Sequence, residues 1–263
     1  MVAPQMNSPP EWVLFHVPHD STVIPAEVRD QFVLDDAALG AELLRMTDHH
    51  TFRLFGQCVA AAQVVRFPVS RLVVDVERFV SDQQEPMSGR GMGVVYTSGH
   101  DLRRIRRDLS PTERKSLLAK WYRPHHQQLT NVVDHALAKF GKALVVDCHS
   151  FPSRPLPYES DANAPRPQIC IGSDEFHSPP EWIDTLAAAF QSAGFETAVN
   201  TPFAGALVPL KHYRREPRVK AVMIEVRRDL YVNEETGEAL PELNGLAQQI
   251  RACLVNVCSS LNC

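Results

Sequence analysis

Apolar and polar residues repeat along this chain at two periods that take turns. Short continuous apolar runs of strand length alternate with longer segments spaced three and four residues apart, as in helices. Residues 11–17 form a first run that closes on Pro18-His19-Asp20-Ser21, and residues 144–150 form another, Leu144-Val145-Val146-Asp147-Cys148-His149-Ser150. Residues 59–67, 72–76, 168–171, 195–199 and 219–226 read as further strands, with Pro68 separating the first two. Helical spacing covers 35–46 through Leu39, Leu43 and Leu44, and after the break at Thr47-Asp48-His49-His50 a second helix carries Phe52, Leu54 and Phe55. Ser110-Pro111-Thr112-Glu113 is a capping box with proline at the first helical position, and it predicts one long helix that Gly141 ends. Ser178-Pro179-Pro180-Glu181 repeats the signal for a helix to 193, and 241–261 closes the chain as a helix. Strands alternating with helices predict an α/β fold, a three-layer α/β/α sandwich with a sheet covered on both faces.

The run at 144–150 holds the first chemical signal. A buried strand has no use for Asp147 and His149 unless they meet partners, because an unpaired buried polar group costs roughly 1–3 kcal/mol. The pattern recurs: His16, His19 and Asp20 follow the first strand, Asp75, Glu77 and Arg78 follow the run from Leu72, and Glu225 ends another. Open α/β sheets bind ligands beyond the carboxyl ends of their strands. Two neutral imidazoles and a carboxylate with one open position make a zinc hydrolase site, with a carboxylate base beside it. In His16-Val17-Pro18-His19 the strand residue and the one past the proline need not face the same way, so only His19 is taken as a candidate ligand.

Composition narrows the classes. At 263 residues, 44% hydrophobic and 22% charged, the chain supplies a large core, and with no linker-like shift it is expected to form one domain, 1–263. A net charge of −4 argues against nucleic acid, and Arg103-Arg104-Ile105-Arg106-Arg107 is read as a solvated helix face or an anion contact. Six cysteines without paired spacing fit reduced thiols, and no leader or membrane-spanning run is visible, so a soluble cytoplasmic protein is expected. The glycine-rich stretch 87–99 lacks the Gly-Lys-Ser/Thr of a phosphate cradle. Cys148, between two polar strand neighbours, should face the opposite side as core, and of His49 and His50 at most one can reach a site.

Pro18-His19-Asp20-Ser21 with Ile24-Pro25, Thr47-Asp48, the run from Ser70 to Arg78, Tyr122-Arg123-Pro124-His125-His126, Asp147-Cys148-His149-Ser150, Pro202-Phe203-Ala204-Gly205 and Ile224-Glu225-Val226-Arg227-Arg228-Asp229-Leu230-Tyr231 stand in an order that resembles the N-formylglutamate amidohydrolase family. That family is similar in turn to zinc carboxypeptidases and aspartoacylase-like deacylases, whose central mixed sheet holds a single zinc at its carboxyl edge. The resemblance implies one Zn2+ or other divalent ion per chain, held by His19, His149 and a carboxylate. Thr22 stands where the carboxypeptidase pattern has a glutamate, so Asp48 is taken as that carboxylate, with Asp20 as the alternative and a helix cap as the structural reading of Asp48. Glu225 matches the general base.

Asp75-Val76-Glu77-Arg78 resembles the family segment whose arginine grips a substrate carboxylate, a task that suits the planar guanidinium fork. Arg71, Arg78 and Arg228 are candidate substrate-binding residues, and His126 is a further one or an orienting partner. Glu77 and Arg227 stand where asparagine is common in the family, and Ala206 where a second glycine is. The implied reaction is N-formyl-L-glutamate plus water to L-glutamate and formate, a late step of histidine breakdown. Glu77 leaves open a deacylase of another N-acyl amino acid or small peptide. The remaining alternative is a metal-free module that binds an acidic small molecule.

Overall fold

The computed structural model describes residues 8–57, 59–159 and 161–260. Its centre is a six-stranded mixed sheet: β1 (Val13–Val17), β2 (Val64–Arg66), β3 (Ala143–Phe151), β4 (Ile169–Gly172), β5 (Thr197–Val199) and β6 (Val219–Arg227), in the order β2-β1-β3-β6-β4-β5. β2, β1, β3 and β6 run parallel, whereas β4 pairs antiparallel with β6 and parallel with β5. β1 and β3 are buried along their whole length, which is why they read as continuous apolar runs.

Helices cover both faces. α1 (Asp36–Met46) starts where the Asp35 carboxylate accepts the Ala38 amide. α2 (Pro111–Leu117) carries the complete Ser110–Glu113 capping box. A π-helical turn over Leu118–Tyr122 joins it to α3 (Arg123–Phe140), which Gly141 ends in the left-handed region at φ 75°. Pro124, which has no amide hydrogen to give a carbonyl of the preceding turn, stands in the first turn of α3, two residues past that π turn. α4 (Pro180–Ser192) and α5 (Leu243–Ser260) complete the set. Leu144, Val146, Cys148, Val222 and Ile224 pack toward α4 and α5, while Ala143, Val145, Val219 and Ala221 pack with Val133 and Ala136 of α3. The sheet therefore sits between two helical layers, and Cys148 is core as expected.

Three expectations differ. Residues 72–76 are buried but form no strand: Asp75 donates its amide to the Val94 carbonyl, in a packed loop. The basic stretch 103–107 is not helical. Its Arg106 is fully buried, hydrogen-bonded to Gln31 and to the Leu72 and Val73 carbonyls, with its guanidinium on the Phe32 ring. Ser178 does not cap α4; Pro179 holds that position, and the Ser178 hydroxyl donates to the Ala221 carbonyl. Cys148, Cys170, Cys253 and Cys258 are buried thiols, and Cys58 and Cys263 lie outside the described residues. Among the described residues no helix is long and apolar enough to cross a membrane.

Candidate active site

The register of β1, β3 and β6 assembles the polar residues. His149 is paired with Glu225 and Asp147 with His16, so four titratable side chains sit on adjacent parallel strands, on the face covered by α3. Alternation sends Cys148 the other way. His19 lies just past the end of β1, and Asp48 follows α1 with its amide donating to the His19 carbonyl.

His19, Asp48 and His149 converge. Asp48 Oδ2 stands 3.6 Å from His19 Nδ1 and 3.1 Å from His149 Nδ1, and all three residues are buried. The far nitrogens of both rings face carboxylates: His19 Nε2 lies 2.8 Å from Asp75 Oδ1, and His149 Nε2 lies 3.1 Å from Asp147 Oδ1 at an angle short of a hydrogen bond. His19 Nδ1 has no hydrogen-bond partner. The other Asp48 oxygen accepts from Arg228 at 2.7 Å. Burial opposes charge on Asp48, but the His149 hydrogen bond, the His19 ring close beside it and the Arg228 guanidinium outweigh it and hold the carboxyl well below the usual range.

Glu225 is buried beside this group with Oε2 unpartnered. Burial, with the Asp48 charge adding to it, pushes its carboxyl up to about 7 despite the opposing charge of His149. His19, Asp48, His149, Glu225 and Arg228 border a cleft of about 780 Å3 whose walls include Arg71, Arg78, His126, Tyr122, Phe203 and Tyr213.

The arginines differ in what they can still do. Arg228 donates through Nε to the Ser150 hydroxyl and through its two terminal nitrogens to the Arg45 and Ser150 carbonyls and to Asp48, so its whole fork is engaged. Arg71 gives one bond to Asp75 Oδ2 at 2.9 Å, and Arg78 stands 3.6 Å from Asp75 and from Glu85; the Nε of each makes no hydrogen bond. Tyr96 completes Asp75 by donating to Oδ2 at 2.6 Å. His126 donates from Nε2 to the Val76 carbonyl, and burial lowers its pKa to about 4, so it is neutral. Asp20 stands apart, paired with Arg66. His49 and His50 bond the Leu44 and Gly237 carbonyls and border no part of the cleft.

Sequence reasoning passed over a second knot. His16 Nδ1 lies 2.9 Å from Asp147 Oδ1 and 3.2 Å from Glu77 Oε1, while its Nε2 lies 2.8 Å from His125 Nε2. The signal was a histidine inside an apolar strand, read only as a poor companion for His19.

The sequence matches the N-formylglutamate amidohydrolase family over residues 12–232. The chain belongs to that family. It is 26% identical over 253 residues to an N-formylglutamate deformylase of Pseudomonas aeruginosa, an alignment spanning 95% of this chain and 92% of the relative. The fold matches the crystal structure of an N-formylglutamate amidohydrolase from Ralstonia eutropha JMP134 with a TM-score of 0.80 at 21% identity, covering 97% of this chain and 95% of that one. A gene product of Agrobacterium tumefaciens follows at 0.68 and 22%, covering 95% and 91%. These likenesses confirm the mixed-sheet α/β fold.

Proposed function

We propose that this chain is a divalent-metal hydrolase that cleaves the amide of an N-acylated acidic amino acid, N-formyl-L-glutamate first, to release L-glutamate and formate. The observation that carries this reading is the convergence of His19 Nδ1, Asp48 Oδ2 and His149 Nδ1 beside an unpartnered carboxyl oxygen of Glu225. Two nitrogens and one oxygen suit zinc and its first-row neighbours, and imidazoles backed by carboxylates are what such ions are bound by. A divalent ion bound there acidifies water and polarises an amide carbonyl.

The chain's own groups do the rest. Glu225 takes a proton from the attacking water and returns it to the departing amine, and a carboxyl near 7 is poised for both transfers. Arg71 and Arg78 offer guanidinium edges to the substrate carboxylates. Arg228, proposed from sequence as a substrate contact, is better assigned to fixing Asp48 so that Oδ2 faces the two imidazoles. Family membership and the deformylase relative support formyl as the acyl group. A cleft of about 780 Å3 falls in the range that holds drug-sized ligands, which favours longer N-acyl groups as a second reading.

The test is kcat/KM for N-formyl, N-acetyl and N-succinyl glutamate and for N-formylglutamate diamide, with wild type and Arg78→Lys. N-formylglutamate should be the best substrate and lose substantially with the lysine, whereas the diamide should be poor and little changed. Equal losses on both would move the carboxylate grip away from Arg78, and no hydrolysis of any of these amides in zinc-loaded protein would overturn the reading.

A further inference from the structure

We infer that His16, Glu77 and Asp147 form a second divalent-cation site, behind the first one and separate from it. His16 is fully buried in β1, Asp147 is buried in β3, and Glu77 reaches in from the loop after residues 72–76, so the ligands come from three separate parts of the chain. Their ligand atoms all lie within 4.8 Å of one another. Separations of 2.9 Å and 3.2 Å from His16 Nδ1 match the ~3 Å spacing of ligands around an ion that bonds nitrogen and oxygen at ~2.0–2.2 Å.

Donors and acceptors do not balance within this cluster. Two carboxylate oxygens face one imidazole nitrogen, and a proton on that nitrogen can lie in line with only one of them. Asp147 Oδ1 takes the hydrogen-bond geometry, while Glu77 Oε1 is left buried without one. A cation at the centre satisfies all three atoms at once. The other side of His16 is already arranged for this: Nε2 lies 2.8 Å from Nε2 of the buried His125, which stands ready to accept its remaining N–H. A ligating imidazole that passes its remaining N–H to a fixed acceptor is the usual support of a metal site. Glu77 and Asp147 both border the cleft, so an ion has an entry path.

One imidazole and two carboxylates select zinc, cobalt or manganese over calcium or magnesium. His149 stands between the sites, with Nδ1 toward Asp48 and Nε2 toward Asp147. The two ions would lie on opposite sides of that ring, unlike the ~3.5–4 Å pairs that clamp one reacting oxygen. The second ion is therefore a positioning ion: it neutralises Asp147 and Glu77 and fixes the carboxylate that backs His149.

This inference takes His19, Asp48 and His149 as the first site but is independent of the substrate. Metal-stripped protein is dialysed against zinc, and separately against manganese, and ions per chain are counted by elemental analysis beside a circular-dichroism check of folding. Wild type should bind two zinc ions per chain. Glu77→Gln, at the cleft wall, should bind one and keep the tighter, and His16→Gln should do the same; His19→Ala should lose the tighter ion and keep the weaker. One ion in wild type, lost in His19→Ala and unaffected by Glu77→Gln, would overturn the second site while leaving the first intact. Loss of all binding in His19→Ala would also overturn it, and two ions still bound by folded Glu77→Gln and His16→Gln would place the second ion elsewhere.

Discussion

Glu225 is a buried carboxyl whose charge the surrounding residues only partly offset. It is paired in register with His149, only 8% exposed, and leaves Oε2 without a partner. A carboxyl raised from 4.5 to about 7 binds more protons in the folded chain than in the unfolded one between those values, so it lowers stability as pH rises through that interval. Glu225→Gln removes the penalty. Thermal melts of metal-free protein should show the variant more stable than wild type above pH 7, with the advantage shrinking as pH falls toward 4.5. With metal restored, bound ion should be unchanged and turnover roughly 100-fold lower or worse, because the amide keeps the shape but accepts no proton. Unchanged turnover would make Glu225 a structural carboxylate. His19 and His149 were legible in the sequence because each ends an apolar run; the service of Asp75 and Asp147 behind them was not, since nothing local tells a carboxylate that backs an imidazole from one that pairs an arginine.

The elements place these residues, and the sequence revealed the regular ones best. Apolar runs located β1, β3 and β6, and the capping box located the start of the helical run whose later part, α3, brings His126 to the cleft and His125 to His16. Residues 72–76 misled because β-branched residues signal burial as much as pairing; Leu72, Val73 and Val74 are buried in a loop that presents Asp75 to His19. The antiparallel turn of β4 against β6 depends on long-range packing that no short window contains. It brings Gly172 against the loop that carries Phe203 and Gly205 along the cleft wall, where an added Cβ collides with the Gly205 carbonyl oxygen and the Met223 side chain. Gly172→Ala should therefore push that loop outward, costing roughly 1–3 kcal/mol of stability. KM should rise while metal content stays constant. An unchanged KM would show that the loop takes no part in holding substrate.

At the scale of the whole molecule, the candidate ligands come from separate parts of the chain: His19 after β1, Asp48 after α1 and His149 in β3, which is 130 residues downstream of His19. The folded chain brings the three together and the unfolded chain does not, so an ion bound to them binds the native state alone and stabilises it by mass action, about 4 kcal/mol at a free concentration a thousandfold above Kd. For a chain of this size that corresponds to roughly 10 °C in melting temperature. Protein stripped with a chelator should melt lower by about that amount, and added zinc should restore it. His19→Ala should melt near the stripped wild type and respond to zinc less, because removing one imidazole leaves too few ligands for tight binding. The control is magnesium, a hard ion that prefers oxygen ligands and should shift neither protein. If stripped and zinc-loaded wild type melt at the same temperature, the three residues are a hydrogen-bonded cluster and the metal assignment fails, whatever the activity.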